Sequence, residues 1–364
     1  MKKNFKKLKV ALYDPYLDTL GGGEKYILSI IAVFAEEGAE VTFFWDKDLS
    51  NEIKNRFSFQ CFKTLKWKKN IFEGHSLFNT LKTLWTLRTF DYFFYVTNGS
   101  YFFSPAKKNF IYAMVPDERL YKLSFLNRLK LANYKVVTHS HFTQKWLGRF
   151  GFDSFVLPPI IDIPEKVDLA KKEKIILSVG RFFSHLHSKR QDVAIEAFKK
   201  LKKAHLEFSD YRLILAGGLK EEDKPYLEKL KSLAKDDSSI IFKPNIGLYE
   251  LYRLYRLSTY FWHFTGFGID DEKNPEAVEH LGLTPLEAAS HGCVVMAYNA
   301  GGLKETVENG RTGFLFSSVE DLIRTMSEVN SDPKLKGTVT ANMRKEIKKM
   351  YNYRTLEEKV HKII

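Results

Sequence analysis

Residues 8–35 read LKVALYDPYLDTLGGGEKYILSIIAVFA. The stretch 8–13 is a short apolar run with β-branched and aromatic residues. It gives way at Asp14 and Pro15 to a loop that ends in Gly21, Gly22 and Gly23, and from Glu24 to Ala35 the apolar positions recur at helical spacing. That order is strand, loop, helix. It recurs outward along the chain. Residues 40–45, 92–96, 109–114 and 135–138 read as buried strands, with helical stretches at 120–132 and 143–150 between them. Strands alternating with helices predict a parallel sheet covered on both faces. Three prolines in FVLPPIIDIP, 155–164, disfavour any regular element and mark a linker. A second series follows: strands at 174–179, 211–216, 240–242, 259–264 and 294–298, and helices at 191–204, 225–234, 248–257 and 285–291.

A chain of 364 residues is too long for one ordinary core. The expected organisation is a Rossmann-like domain at 1–163, a second at 164–345, and a terminal segment, 346–364, that reads as an amphipathic helix. Doubly wound units bind ligands at the carboxyl ends of their strands, so two of them predict a cleft.

Hydrophobic residues make up 44% and charged residues 28%, as in soluble folded proteins. No uncharged apolar run approaches the ~20 residues of a membrane span. The basic residues 1–9 precede no apolar segment of signal-peptide kind. Cys61 and Cys293 are far apart and lack metal-ligand spacing, which excludes a disulfide framework or structural zinc site and predicts a cytoplasmic protein. The net charge of +13 is concentrated early, with 24 Lys/Arg against 16 Asp/Glu in residues 1–165. Between Lys54 and Trp85, Lys63, Lys66, Lys68, Lys69 and Lys82 alternate with Phe57, Phe59, Phe62, Trp67, Phe72 and Phe78. That mixture suits either an anionic membrane surface or a half-buried helix pair with solvated lysines. No recognition helix or RNP-like pattern accompanies the charge, so nucleic acid is not an expected partner.

The chemistry is carried by the second half. In SVGRFFSHLHSKRQDVAIEAF, 178–198, Arg181 leaves a strand end and Lys189 precedes a helix. A guanidinium and an ammonium at one strand end suit a diphosphate. In EHLGLTPLE, 279–287, two carboxylates flank a turn into a helix. Thr284, Pro285 and Glu287 there match a capping box with proline at the first helical position. That start offers an anion the backbone N–H groups from Gly282, Leu283 and Thr284 to Leu286, Pro285 excepted. Glu279 has no comparable structural task. Gly301 and Gly302 open a turn into a helix, and NGRTGFLF, 309–316, returns into a strand. Asp270 and Asp271 read as a solvated loop. His185 and His187 form an H-x-H pair without a further nearby ligand.

Taken in order, the glycine triplet with Glu24, SVGR with KRQD, the E-x7-E running into EAASHGC, GGLKETV and NGRTGFL resemble glycosyltransferase family 4, retaining enzymes of the GT-B fold, over essentially the whole chain. The EHLG form is similar to the subgroup of mannosyltransferases that extend lipid-linked oligosaccharides. The resemblance implies that Arg181 and Lys189 grip the donor diphosphate, that Glu279 contacts the donor sugar and that Glu287 binds the ribose. Backbone groups at Gly282, Leu283 and Thr284 would face the phosphates, Asn245 and Ile246 would flank the base, and the loop with Gly22 and Gly23 would close on donor and acceptor. It implies no metal and no cofactor beyond the nucleotide-diphosphate sugar, and a glycan or lipid-linked acceptor on the cytoplasmic face of a membrane. Where many relatives carry a histidine near an N-domain strand end, this chain has Tyr112, Ala113, Met114, Val115, Pro116 and Asp117. Asp117, Glu118 or His139 are the substitutes at hand. Two other classes remain open: a sugar-nucleotide epimerase of the same architecture, which consumes no acceptor, and a noncatalytic nucleotide-sugar or glycan binder, which tolerates loss of Glu279.

Overall fold

The structure is a computed structural model that describes residues 8–364 except 58, 60, 63, 64, 74, 75, 122, 186 and 236. It divides into two compact units, residues 1–160 with 351–364 (unit 1) and residues 161–350 (unit 2).

Unit 1 holds a seven-stranded parallel sheet: β1 (Lys9–Tyr13), β2 (Glu40–Phe44), β3 (Lys66–Lys68), β4 (Tyr92–Val96), β5 (Lys108–Tyr112), β6 (Tyr134–Thr138) and β7 (Ser154–Val156), in the order β3-β2-β1-β4-β5-β6-β7. The order reverses between β1 and β4, the switch point of a doubly wound sheet. Strands buried on both faces need apolar side chains on both, and β4 is YFFYV with every residue buried. One face packs against the helix Gly22–Glu36, through Ile27, Ile30, Ile31 and Phe34, and against the helix Tyr353–Ile363, through Leu356, Val360 and Ile363. The other face, with Tyr13, Phe44, Phe93 and Tyr95, lies under Leu87 of the helix Leu77–Leu87 and Leu147 of the helix His141–Arg149.

Unit 2 repeats the scheme with six parallel strands: β8 (Glu173–Val179), β9 (Arg212–Gly217), β10 (Ile240–Pro244), β11 (Ser258–His263), β12 (Val294–Tyr298) and β13 (Phe314–Phe316), ordered β10-β9-β8-β11-β12-β13. Its switch point lies between β8 and β11. The helix Gln191–Ala204 turns Val193, Ala194, Ala197, Phe198 and Leu201 to the core, the i, i+4, i+8 stripe of its sequence.

The structure corrects three readings of local sequence. The stretch 155–164 is not free of regular structure, because the strand β7 ends only at Val156, before Pro158; an edge strand has one partner to satisfy and can stop at a proline. The single helix expected at 120–132 is two, Glu118–Tyr121 and Phe125–Leu131, because the Ser124 side chain accepts from Asn127 N–H and starts a new helix. Asp271 is not solvated. It accepts from Gly301 N–H at 2.7 Å and pairs with Lys304 at 2.6 Å, so it pins the loop after β11 to the Gly301/Gly302 turn.

Candidate active site

In unit 2 the carboxyl ends of β8 and β11 bring two side chains onto one carboxylate oxygen. Lys189 Nζ lies 2.7 Å from Glu279 Oε2, and His263 Nε2 lies 2.8 Å from the same atom. His263 is the last residue of β11 and is buried, following the aromatic run Tyr260, Phe261 and Trp262. Burial by itself pushes the Glu279 carboxyl up, but the Lys189 charge and then the His263 hydrogen bond overcome it, and the group is held well below the usual carboxylate range. Burial pushes the His263 imidazole below its ordinary 6.5 against the opposing pull of Glu279. A neutral imidazole donating from Nε2 beside an ammonium–carboxylate pair satisfies all three groups. Oε1 of Glu279 accepts no hydrogen bond among the described residues, so its acceptor capacity is unused.

The loop that carries Glu279 is fixed from behind. Gly302 N–H donates to the Glu279 carbonyl at 2.7 Å, and a Cβ on Gly302 would overlap the His280 carbonyl. The Gly301/Gly302 turn is therefore the seat of the Glu279 backbone.

The start of the following helix differs from its reading in sequence. The helix is Leu283–Ser290, capped by Gly282 at φ 93°, and Pro285 is its third residue. A left-handed glycine lets the chain turn into the helix earlier than a Thr284 cap allows. No capping box forms: Thr284 Oγ1 donates to the Val179 carbonyl at 3.3 Å, and Glu287 Oε2 accepts from the buried Tyr255 hydroxyl at 3.2 Å. Glu287 is thus a buried hydrogen-bonded side chain and not a helix cap. The first N–H groups, on Leu283 and Thr284, have no carbonyl to bond within the helix.

A run of direct contacts connects the other positions in unit 2. Asn245 donates its N–H to the Gly217 carbonyl and holds Leu219 through both side-chain atoms, at 2.8 and 3.0 Å. Phe182 N–H in turn bonds the Gly218 carbonyl, which sets the ends of β9 and β8 side by side. Arg181 is exposed, its guanidinium 4.5 Å from the Phe183 ring centroid. Ile246 is half-buried next to Asn245. His187 meets His280 edge to face at 4.9 Å, while His185 is exposed.

Gly22, Gly23 and His139 belong to unit 1. Gly22 and Gly23 form the first turn of the helix Gly22–Glu36, where Glu24 Oε2 accepts from Gly21 N–H and from Thr19, each at 2.6 Å. Asp14, at the end of β1, is almost fully buried; burial and the Glu24 charge hold its carboxyl well above the usual range. His139 is buried with Nδ1 3.0 Å from the Tyr112 hydroxyl, and Asp117 is clasped by Arg119. Glu118 is exposed.

The basic aromatic stretch from Lys54 to Trp85 does not form one surface. Phe57 and Phe72 are buried and Phe59, Phe62 and Trp67 pack on the core, whereas Phe78 and Trp85 are exposed; Lys63 lies outside the described residues.

Sequence reasoning missed His263, Tyr255 and Asp271. For His263 the available signal was a polar residue closing the aromatic run YFW, 260–262, at a strand's carboxyl end.

The depressed His263 pKa has a measurable consequence. The unfolded histidine takes a proton near pH 6.5 and the folded one only at lower pH, so stability is lost as pH falls through that window. His187 and His291, also depressed, act in the same direction. His263→Gln keeps an N–H for Glu279 but has no titration. Its thermal stability is expected to fall less steeply than that of the wild type below pH 6.5, by up to ~1.4 kcal/mol per pH unit.

Two parallel sheets, each wound on both faces and each presenting its switch point at the strands' carboxyl ends, make up the GT-B architecture of nucleotide-sugar transferases. Over 98% of this chain and 99% of its own, Anabaena Alr3699/HepE in complex with UDP and glucose superposes with a TM-score of 0.73 at 15% identity. The chain belongs to the glycosyl transferases group 1, the family that matches residues 160–350. It is 29% identical over 188 residues to the alpha-1,3/1,6-mannosyltransferase ALG2 of Rhizomucor pusillus, covering 47% of this chain and 41% of that protein. It is 24% identical over 204 residues to the GDP-Man:Man(3)GlcNAc(2)-PP-Dol alpha-1,2-mannosyltransferase of Dictyostelium discoideum, covering 53% and 38%. The matched stretches thus span about two fifths of these curated relatives.

Proposed function

We propose that the chain transfers mannose from GDP-mannose to a hydroxyl of a glycan or lipid-linked acceptor, with retention at the anomeric carbon and without a metal ion. The observation that carries this reading is the Lys189–Glu279–His263 group at the switch point of unit 2. The names of the mannosyltransferase relatives support the donor and the acceptor class.

In this reading Arg181, Lys189 and the N–H groups of Leu283 and Thr284 stabilise the charge that grows on the diphosphate as the sugar–oxygen bond breaks. The departing phosphate oxygen then takes the acceptor's proton, and attack from the same face gives retention. Glu279 holds a sugar hydroxyl through Oε1 and forms no bond to carbon. Glu287 binds the ribose, Asn245 and Ile246 border the base, and the donor is a substrate, so no cofactor is needed.

The test is a panel of GDP- and UDP-sugars read by thermal shift and by transfer, with the anomeric product assigned by NMR. GDP-mannose should raise the melting temperature by mass action. Conversion of donor without acceptor to an epimer, or binding without turnover by every donor, overturns the reading. Transfer is expected to persist in excess EDTA. Glu287→Gln keeps an acceptor for Tyr255, so it should leave stability near wild type while raising the donor KM about tenfold, a loss of ~1.4 kcal/mol. An unchanged KM removes Glu287 from the ribose role.

A further inference from the structure

The helices Leu77–Leu87 and Phe125–Leu131 lie over the same face of the unit 1 sheet. Leu87 and Leu131 both pack on the core cluster of Tyr13, Phe93 and Tyr95. Their outer sides are apolar. Leu77 is 77% exposed, Phe78 76% and Trp85 75%, and Phe125, on the second helix, is 78% exposed. With Leu81 these form an i, i+1, i+4, i+8 stripe on the first helix, and with Leu126 and Leu129 an i, i+1, i+4 stripe on the second, each opposite to or away from the buried side. Single exposed apolar residues are ordinary, but two stripes on one face of one unit are the mark of an interaction surface.

The charge on this face names the partner. Neither LFNTLKTLWTL nor FLNRLKL contains an acidic residue, whereas Lys82 and Arg128 are exposed among the apolar positions and Arg88 follows the first helix. A second copy docking face to face would set cations against cations. An anionic bilayer instead takes rings and leucines at headgroup depth and pairs its phosphates with the lysine and arginines. No helix of the described residues is long and apolar enough to cross a membrane, so this contact lies on the surface.

We propose that these two helices are the face by which unit 1 docks on an anionic lipid bilayer, with Phe78, Trp85, Phe125 and Leu126 as the inserting side chains. This deepens the acceptor reading above, since a lipid-linked acceptor is presented at such a surface, but its test is independent of transfer.

The full chain is floated with vesicles of phosphatidylcholine alone and of phosphatidylcholine with phosphatidylglycerol, which carry neither donor nor acceptor. Binding to the anionic vesicles is expected, weakened but retained when salt is raised from about 0.1 M to about 1 M and the screening length falls from ~10 to ~3 Å. The pairs Phe78→Asp/Trp85→Asp and Phe125→Asp/Leu126→Asp should each lower the partition coefficient about tenfold or more. Both pairs change exposed side chains, so their melting temperatures should match the wild type. Addition of anionic vesicles should shift Trp fluorescence to the blue, and Trp85→Phe should remove that shift. Absence of the wild type from the anionic vesicle fraction, equal flotation of the aspartate variants, or a wild-type dimer that these variants break without any vesicle binding overturns the proposal. Transfer to a soluble acceptor by a chain that does not float would separate the failure of this inference from that of the proposed reaction.

Discussion

Replacing Lys189 by alanine is expected to lower transfer at least about 100-fold and to soften unit 2 in the same step. Lys189 and Glu279 are only 20% and 17% exposed at their side chains, and their contact is 2.7 Å. Without the ammonium, a buried carboxylate keeps, among the described residues, only a neutral imidazole as its donor. Removing one partner of a buried pair costs about 3–5 kcal/mol, and the remaining exposure and His263 place this case at the lower end. The Glu279 carboxyl, freed from the Lys189 charge, should then rise under the burial that already opposes its ionisation. Thermal melts and a carboxyl titration by NMR read the two effects. The double variant Lys189→Ala/Glu279→Gln separates structure from chemistry: it removes the stranded charge and should recover most of the stability, while transfer stays lost. Recovery of transfer along with stability would make Lys189 a structural residue only.

The second large effect is expected at Gly302. Its φ of −65° suits any residue, so alanine there meets no backbone preference of its own. The obstacle is contact: a Cβ would overlap the carbonyl group of His280 and the N–H of Leu281, backbone against backbone. No rotamer change relieves that, and the loop holding Glu279 must move. Gly302→Ala should therefore cost about 3 kcal/mol or more and abolish transfer, because the Glu279 carboxylate leaves the reach of Lys189 and His263. Gly337→Ala is the matched contrast. It lies in the helix Pro333–Met350 with nothing within 4 Å of the added Cβ, and should stabilise by up to ~1 kcal/mol without touching transfer. Wild-type melting and transfer in Gly302→Ala would show that the turn does not seat Glu279.

The interior strands were legible because burial on both faces demands continuous apolar runs: YFFYV and KVALY can hardly be anything else. The edge strands β3 and β7 were not, since three residues with one partner carry little pattern, and KWK reads as surface. The helix Val319–Ser331 went unread although its apolar residues do recur at helical spacing. At the site, Lys189 and Glu279 could be named from their motifs, but the hydrogen bond between them joins residues 90 positions apart and arises from strand order. His263 could be noticed as a polar residue closing an apolar run, but its partner could not be named for the same reason: it is set by where β11 ends. The capping box at Thr284 failed because a local rule was applied without knowing that Gly282 takes a left-handed turn first. The exposed stripes of the two outer helices were half seen. On the first helix Phe78 and Trp85 stood out in composition, but which rings face outward depends on the helix phase against the sheet; on the second, Phe125 was not singled out.

The helix Tyr353–Ile363 completes the core of unit 1 with Leu356, Val360 and Ile363, and its Ile363 carbonyl accepts from Lys135 of β6 at 2.6 Å. That arrangement dictates an order of events at the ribosome. The apolar surface that the helix Gly22–Glu36 and the unit 1 sheet present to the helix Tyr353–Ile363 is synthesised early and stays uncovered until all of unit 2 has emerged, so the later-made unit can reach its native state while the earlier one waits. Vectorial synthesis ordinarily favours the first-made domain. Here the nascent chain carries an unfinished unit 1 while unit 2 is being made, and that interval is when it most needs protection from aggregation.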